Sequence, residues 1–122
     1  MEAIRMLQVA TYVFALTALG GILMGWLRFS TGRNPPSWMA MGHGLLAAAG
    51  VTLLAYAVFA LDAPGLALVS LLLFLGGSLG GVFLNLHYHL NDKPLPKGIV
   101  IAHAAISVVA FVLLYMAAFT GD

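Results

Sequence analysis

Four long apolar runs, separated by three short polar stretches, make up almost all of this chain of 122 residues. A helix needs about 20 residues to cross a bilayer. The runs near Met6–Arg28, Trp38–Leu61, Gly65–Tyr88 and Gly98–Thr120 are each long enough. The breaks carry turn chemistry. Ser30 to Pro36 contains Gly32, able to end a helix, and Pro35-Pro36, able to start one. Asp62-Ala63-Pro64 reads as an N-cap followed by a first-turn proline. Asn91 to Pro96 repeats the logic of the first break.

The pattern also repeats at longer range. At an ungapped offset of 60, Gly20-Gly21 falls on Gly80-Gly81, Pro36 on Pro96, His43 on His103 and Leu53-Leu54 on Leu113-Leu114. Phe14, Ala57 and Phe59 fall on Phe74, Ala117 and Phe119. A repeat fixes architecture before any other signal. The expectation is one membrane domain over 1–122, built from tandem two-helix repeats at 1–61 and 62–122. Two spans per copy give both copies the same orientation, so their axis runs along the membrane normal. The predicted fold is all-α, an integral membrane four-helix bundle.

Composition agrees with lipid as the solvent: 62% of residues are hydrophobic and 7% charged, against about a quarter charged in soluble domains. A net charge of +1 gives no support to nucleic-acid binding, and the absence of cysteine excludes disulfides, iron–sulfur clusters and thiolate-ligated haem. The first run lacks a small-x-small cleavage site and reads as a span, not a signal peptide. Arg28, Arg33, Lys93 and Lys97 flank the two hairpin loops, whereas Arg5 shares the other side with Glu2, Asp62 and Asp122. The positive-inside rule then places the loops in the cytoplasm and both termini outside, in a bacterial inner membrane.

Ionisable residues within spans are costly and mark functional sites. His43 and His103 lie about two turns into the second and fourth spans, and His87 near the cytoplasmic end of the third, all at about one depth. His43 shares a stripe with Ala47, Gly50 and Leu54, and His103 shares one with Ser107, Ala110 and Leu114. Gly21 and Gly25 give the first span a small face, and Gly76, Gly80 and His87 share a side of the third. Small faces admit close helix packing or a flat cofactor. His87 and His89, two apart, point to nearly opposite sides of a helix. The glycine stripe turns His87 inward and leaves His89 near the loop, in water.

Two neutral imidazoles at equal depth, on helices related by a pseudo-twofold axis, suit the axial positions of haem b. His43 and His103 are the first-choice ligands, with His87 a third ligand or a hydrogen-bonding neighbour. Arg28, Arg33, Lys93 and Lys97 lie on the same side and are candidate partners for the propionates. With its four spans and this histidine placement, the chain resembles the small four-helix membrane b-type cytochromes. That resemblance implies electron transfer, from a quinol to a partner redox protein, by a carrier and not an enzyme. No histidine falls in the outer half of the membrane, so crossing it would take a second protomer or a partner.

Two other readings use the same residues. His43, His87 and His103, with His89 nearby, could hold copper, zinc or iron without a porphyrin, leaving one position open. Alternatively, the chain is a small accessory subunit of a respiratory or photosynthetic complex. Its histidines would then bind haem or a chlorophyll-type pigment, or exchange protons near a quinone. Homo-oligomers or a larger complex are expected at this size. No span carries an internal acid for cation-coupled transport, and no serine has the base–carboxylate pair of a hydrolase.

Overall fold

The computed structural model describes residues 2–121. The four predicted helices form. They are α1 (Glu2–Thr31), α2 (Ser37–Ala60), α3 (Gly65–Phe83) and α4 (Lys97–Phe119), and there is no strand among the described residues. Each is long and apolar enough to cross a membrane, the third when continued through its distorted end to Asn91. This is an integral membrane protein of all-α class.

Around the bundle, α1 packs on α2 and α4, and α3 packs on the same two helices. The first and third helices therefore face each other across one diagonal, and the second and fourth across the other. The densest packing lies toward the chain termini. Leu7, Leu54, Ala57, Ala67, Leu114 and Ala117 are fully buried there. Phe14 and Phe74 stack across the first diagonal with centroids 3.8 Å apart and planes 3° from parallel. Gly50 makes room for this stack, since a Cβ there would stand 2.8 Å from the Phe14 ring. Ser70, also fully buried, donates to the Ala110 carbonyl at 2.7 Å.

Asp62 is not the N-cap its sequence position indicates. It sits at φ 53° between the helices, and Pro64 occupies the cap of α3. The Ala63 and Leu61 amides donate back to the Ala57 carbonyl at 3.2 and 3.3 Å. This closure, with the Ala57 carbonyl accepting from amides four and six residues on, ends α2 and uses Asp62 as its left-handed residue. Gly32 and Asp92 have the same handedness, at φ 72° and 53°, past the ends of the first and third spans.

The third span departs from the expected single helix. After Phe83 the chain widens into a π turn at Leu84–Tyr88 and tightens into a 3₁₀ turn at His89–Asn91. A π turn accommodates an extra residue. The carboxamide of Asn91 supports the transition, donating to the Leu86 and His87 carbonyls at 3.2 and 3.0 Å.

The two hairpin loops interlock. Asn34 donates to the Lys93 carbonyl at 2.7 Å and accepts from the Leu95 amide at 2.9 Å. Arg28 Nε donates to the Leu95 carbonyl at 3.0 Å, and His89 Nε2 to the Pro35 carbonyl at 2.7 Å. The accepting residues are 60 apart and the donors 61 apart, a difference that the extra residue of the π turn accounts for.

Candidate functional site

His43 is the seventh residue of α2 and His103 the seventh of α4, so both imidazoles enter the bundle about 9 Å beyond the helix start. They meet across the second diagonal, with ring centroids 6.2 Å apart and planes inclined at 72°. Two imidazoles bound end-on to one metal ion, at about 2 Å each, have centroids about 6 Å apart.

Each imidazole is held by its own hairpin. His43 Nδ1 lies 2.9 Å from the Thr17 carbonyl of α1, and His103 Nδ1 lies 2.7 Å from the Gly77 carbonyl of α3. A carbonyl can only accept, so Nδ1 carries the proton in both rings. Nε2 is thereby left with its lone pair outward, and among the described residues it has no hydrogen-bond partner. Metal-ligating histidines are commonly oriented in this way, by a bond from the other ring nitrogen to a backbone carbonyl.

The glycines explain how a side chain reaches a carbonyl inside a helix. The residue four positions after Thr17 is Gly21, and four after Gly77 is Gly81. A Cβ at Gly21 would stand 2.9 Å from His43 Cε1, and one at Gly81 would stand 3.1 Å from His103 Cε1. The neighbouring contacts are exchanged between hairpins. At the 60-residue offset Thr17 corresponds to Gly77 and Ala47 to Ser107; Gly77 leaves space for Ser107, whose Oγ would meet a Cβ at 3.0 Å. That hydroxyl donates to the His103 carbonyl at 2.7 Å.

The other two histidines exchange the roles expected from their spacing. His87 is exposed on the outside of the π turn, and His89 is 8% exposed and holds the opposite loop. The extra residue rotates everything after Leu84, so a face assigned by ordinary helical spacing comes out wrong. Gly76 likewise is not on the packed face; a Cβ there would meet nothing within 4 Å, and Gly77 packs instead. Among the described residues no three His, Cys, Asp or Glu side chains converge. The three-imidazole cluster thus loses His87, and only the pair His43–His103 forms.

Of the four predicted cations, Arg28 is 8% exposed and lies on the same face of α1 as Gly21 and Gly25. Among the described residues only its Nε has a hydrogen-bond partner. Gly25, half-buried between Gly21 and Arg28, has nothing within 4 Å of a Cβ built on it, so there is open room along this face. Arg33, Lys93 and Lys97 are exposed at the same end, with Lys97 Nζ 5.7 Å from the centre of the Phe29 ring. Comparison of the chain with protein families, curated proteins and solved structures gives no match.

Proposed function

We propose that this is a membrane haem b protein that transfers electrons, with His43 and His103 as the residues that would hold the haem. One observation carries the reading: two imidazoles meet with centroids 6.2 Å apart, each with Nδ1–H tied to a carbonyl and Nε2 without a hydrogen-bond partner among the described residues. The ligand count favours a porphyrin over a bare ion. Protein zinc and copper sites usually take three or four side chains, and this pair offers two. A macrocycle would bring its own four nitrogens.

When bound, haem b supplies a one-electron Fe(III)/Fe(II) couple. The protein's part is orientation and charge. The Thr17 and Gly77 carbonyls fix the tautomer and make each imidazole a stronger donor. Arg28, seven residues or about 10 Å of helix rise from Gly21, has guanidinium nitrogens to spare for a propionate. Arg33, Lys93 and Lys97 extend the positive field at that end. The same charges support a topology with the loops in the cytoplasm and the termini outside, in a bacterial inner membrane. The position-by-position correspondence of the hairpins supports tandem duplication as their origin. With one site near one face, conduction across the membrane takes a second protomer or a redox partner.

The test is a dithionite-reduced minus oxidised spectrum of protein purified in mild detergent, with pyridine haemochrome quantification. Stoichiometric haem b in the parent and its loss in His43→Ala and His103→Ala are expected. A protein that stays colourless when expressed with abundant haem refutes the reading, and metal analysis of that sample then addresses a bare ion.

A further inference from the structure

The two hairpins correspond closely at the imidazole end and differ at the terminal end. There a groove of about 380 Å³ opens between the start of α1 and the end of α2, lined by Glu2, Arg5, Met6, Val9, Tyr56 and Leu61. At the 60-residue offset Arg5 falls on Gly65, Tyr56 on Met116 and Leu61 on Gly121. The second hairpin has no cation, phenol or matching wall in that place, so shared helix packing does not by itself account for them.

The groove brings opposite charges, a hydroxyl and an apolar floor together. Glu2 and Arg5 are three apart on α1, a spacing at which opposite charges readily pair. They nevertheless form no ion pair, and among the described residues neither the Arg5 guanidinium nor the Tyr56 hydroxyl has a polar partner. Met6 and Leu61 are half-buried, and Val9 is exposed farther along the span. Because α1 is long and apolar enough to cross a membrane, its start lies at the level of the lipid headgroups. The occupant available at that level, with a polar head and a long apolar tail, is a phospholipid. Its phosphate suits Arg5, and its oxygens can accept from Tyr56. Glu2 decides between headgroups. A carboxylate opposes the net negative charge of phosphatidylglycerol. It accepts hydrogen bonds, and the quaternary ammonium of phosphatidylcholine has none to donate. A primary ammonium has three donors, and in phosphatidylethanolamine a short ethylene link holds it beside the phosphate. From this charge complementarity we infer that the groove binds a phosphatidylethanolamine, with its phosphate on Arg5, its ammonium on Glu2 and an acyl chain along Met6 and Val9.

The inference depends neither on haem nor on which side of the membrane the termini face. Protein in detergent is titrated with phosphatidylethanolamine, phosphatidylglycerol and phosphatidylcholine of identical acyl chains. Native mass spectrometry measures the first lipid bound, and the nitrogen-15 resonance of Arg5 Nε is the local reporter. Phosphatidylethanolamine should bind most tightly and shift the Arg5 resonance saturably. Glu2→Gln should erase its preference over phosphatidylcholine. Arg5→Gln should weaken its binding about two- to fivefold, the loss of one exposed charge pair. Both side chains are exposed, so neither substitution disturbs the core. Equal affinity for the three lipids, an Arg5 resonance that ignores phosphatidylethanolamine, or a preference that survives in Glu2→Gln overturns the inference. So does tightest binding of phosphatidylglycerol, which would make Arg5 a plain anion site.

Discussion

Replacing Gly21 with alanine tests the central arrangement most directly. The new methyl would stand 2.9 Å from His43 Cε1, and ordinary carbon–carbon contact is about 3.5–4.0 Å. The ring must retreat by something like 0.8 Å. Its Nδ1 bond to Thr17 is 2.9 Å long, so a retreat of that size carries it beyond hydrogen-bonding range. Loss of the bond costs about 1–1.5 kcal/mol, and the displaced side-chain torsion about 0.5–1.5 kcal/mol. Alanine returns about 1 kcal/mol of helix propensity. The net is destabilisation by about 0.5–2 kcal/mol. Gly25→Ala is the internal control, because its methyl meets nothing, and it should gain about 1 kcal/mol from propensity alone. The assay is reversible unfolding in mixed micelles, with the nitrogen-15 shift of His43 Nδ1 as a local reporter. The reasoning is refuted if Gly21→Ala matches Gly25→Ala in stability and leaves the Nδ1 shift unchanged. In haem-loaded protein the same substitution should lower cofactor retention.

Gly50→Ala should cost about 1–3 kcal/mol by overpacking, because its methyl would fall 2.8 Å from the Phe14 ring; the same unfolding assay reads it. His89→Ala should destabilise by about 1–3 kcal/mol and speed amide exchange around Pro36, since a buried imidazole releases the Pro35 carbonyl; unchanged exchange would show that Asn34 and Arg28 hold the loops without it. Asp62→Gly should stabilise by up to about 1 kcal/mol, because its left-handed φ of 53° suits glycine better than aspartate; a loss of stability would mean that the carboxylate makes a contact of its own. In haem-loaded protein, imidazole planes 72° apart predict a low-spin ferric electron paramagnetic resonance signal of the strongly anisotropic type, and a rhombic signal from near-parallel planes would contradict that geometry.

Four helices and the matched placement of His43 and His103 were legible because both rest on signals that lipid makes strict. A span must be long and apolar, and a histidine within it must find a polar contact. What the sequence did not disclose lies where helical spacing stops being constant. The extra residue near Leu84 reversed the faces of His87 and His89, and its support comes from Asn91, which reads as an ordinary loop residue. The role of the glycines was legible only in part. Gly21 lies on a small face as expected, whereas Gly81 was not on the stripe read from Gly76 and Gly80; both serve the approach of an imidazole to a carbonyl four residues back, a contact that composition does not reveal. Asp62 had the turn chemistry of an N-cap, and the closure of α2 onto the Ala57 carbonyl used it for handedness instead.

Each histidine is anchored to the helix that precedes it in its own hairpin, His43 to Thr17 and His103 to Gly77. Every contact that sets a ring's tautomer and direction is therefore complete within about 30 residues of chain. During insertion, a hairpin can leave the translocon with its imidazole already aimed, before the other hairpin has been made. The last event in building the site is then lateral docking of two finished halves in the bilayer. An occupant held between them would act as a rivet, tightening that docking by whatever free energy its binding contributes.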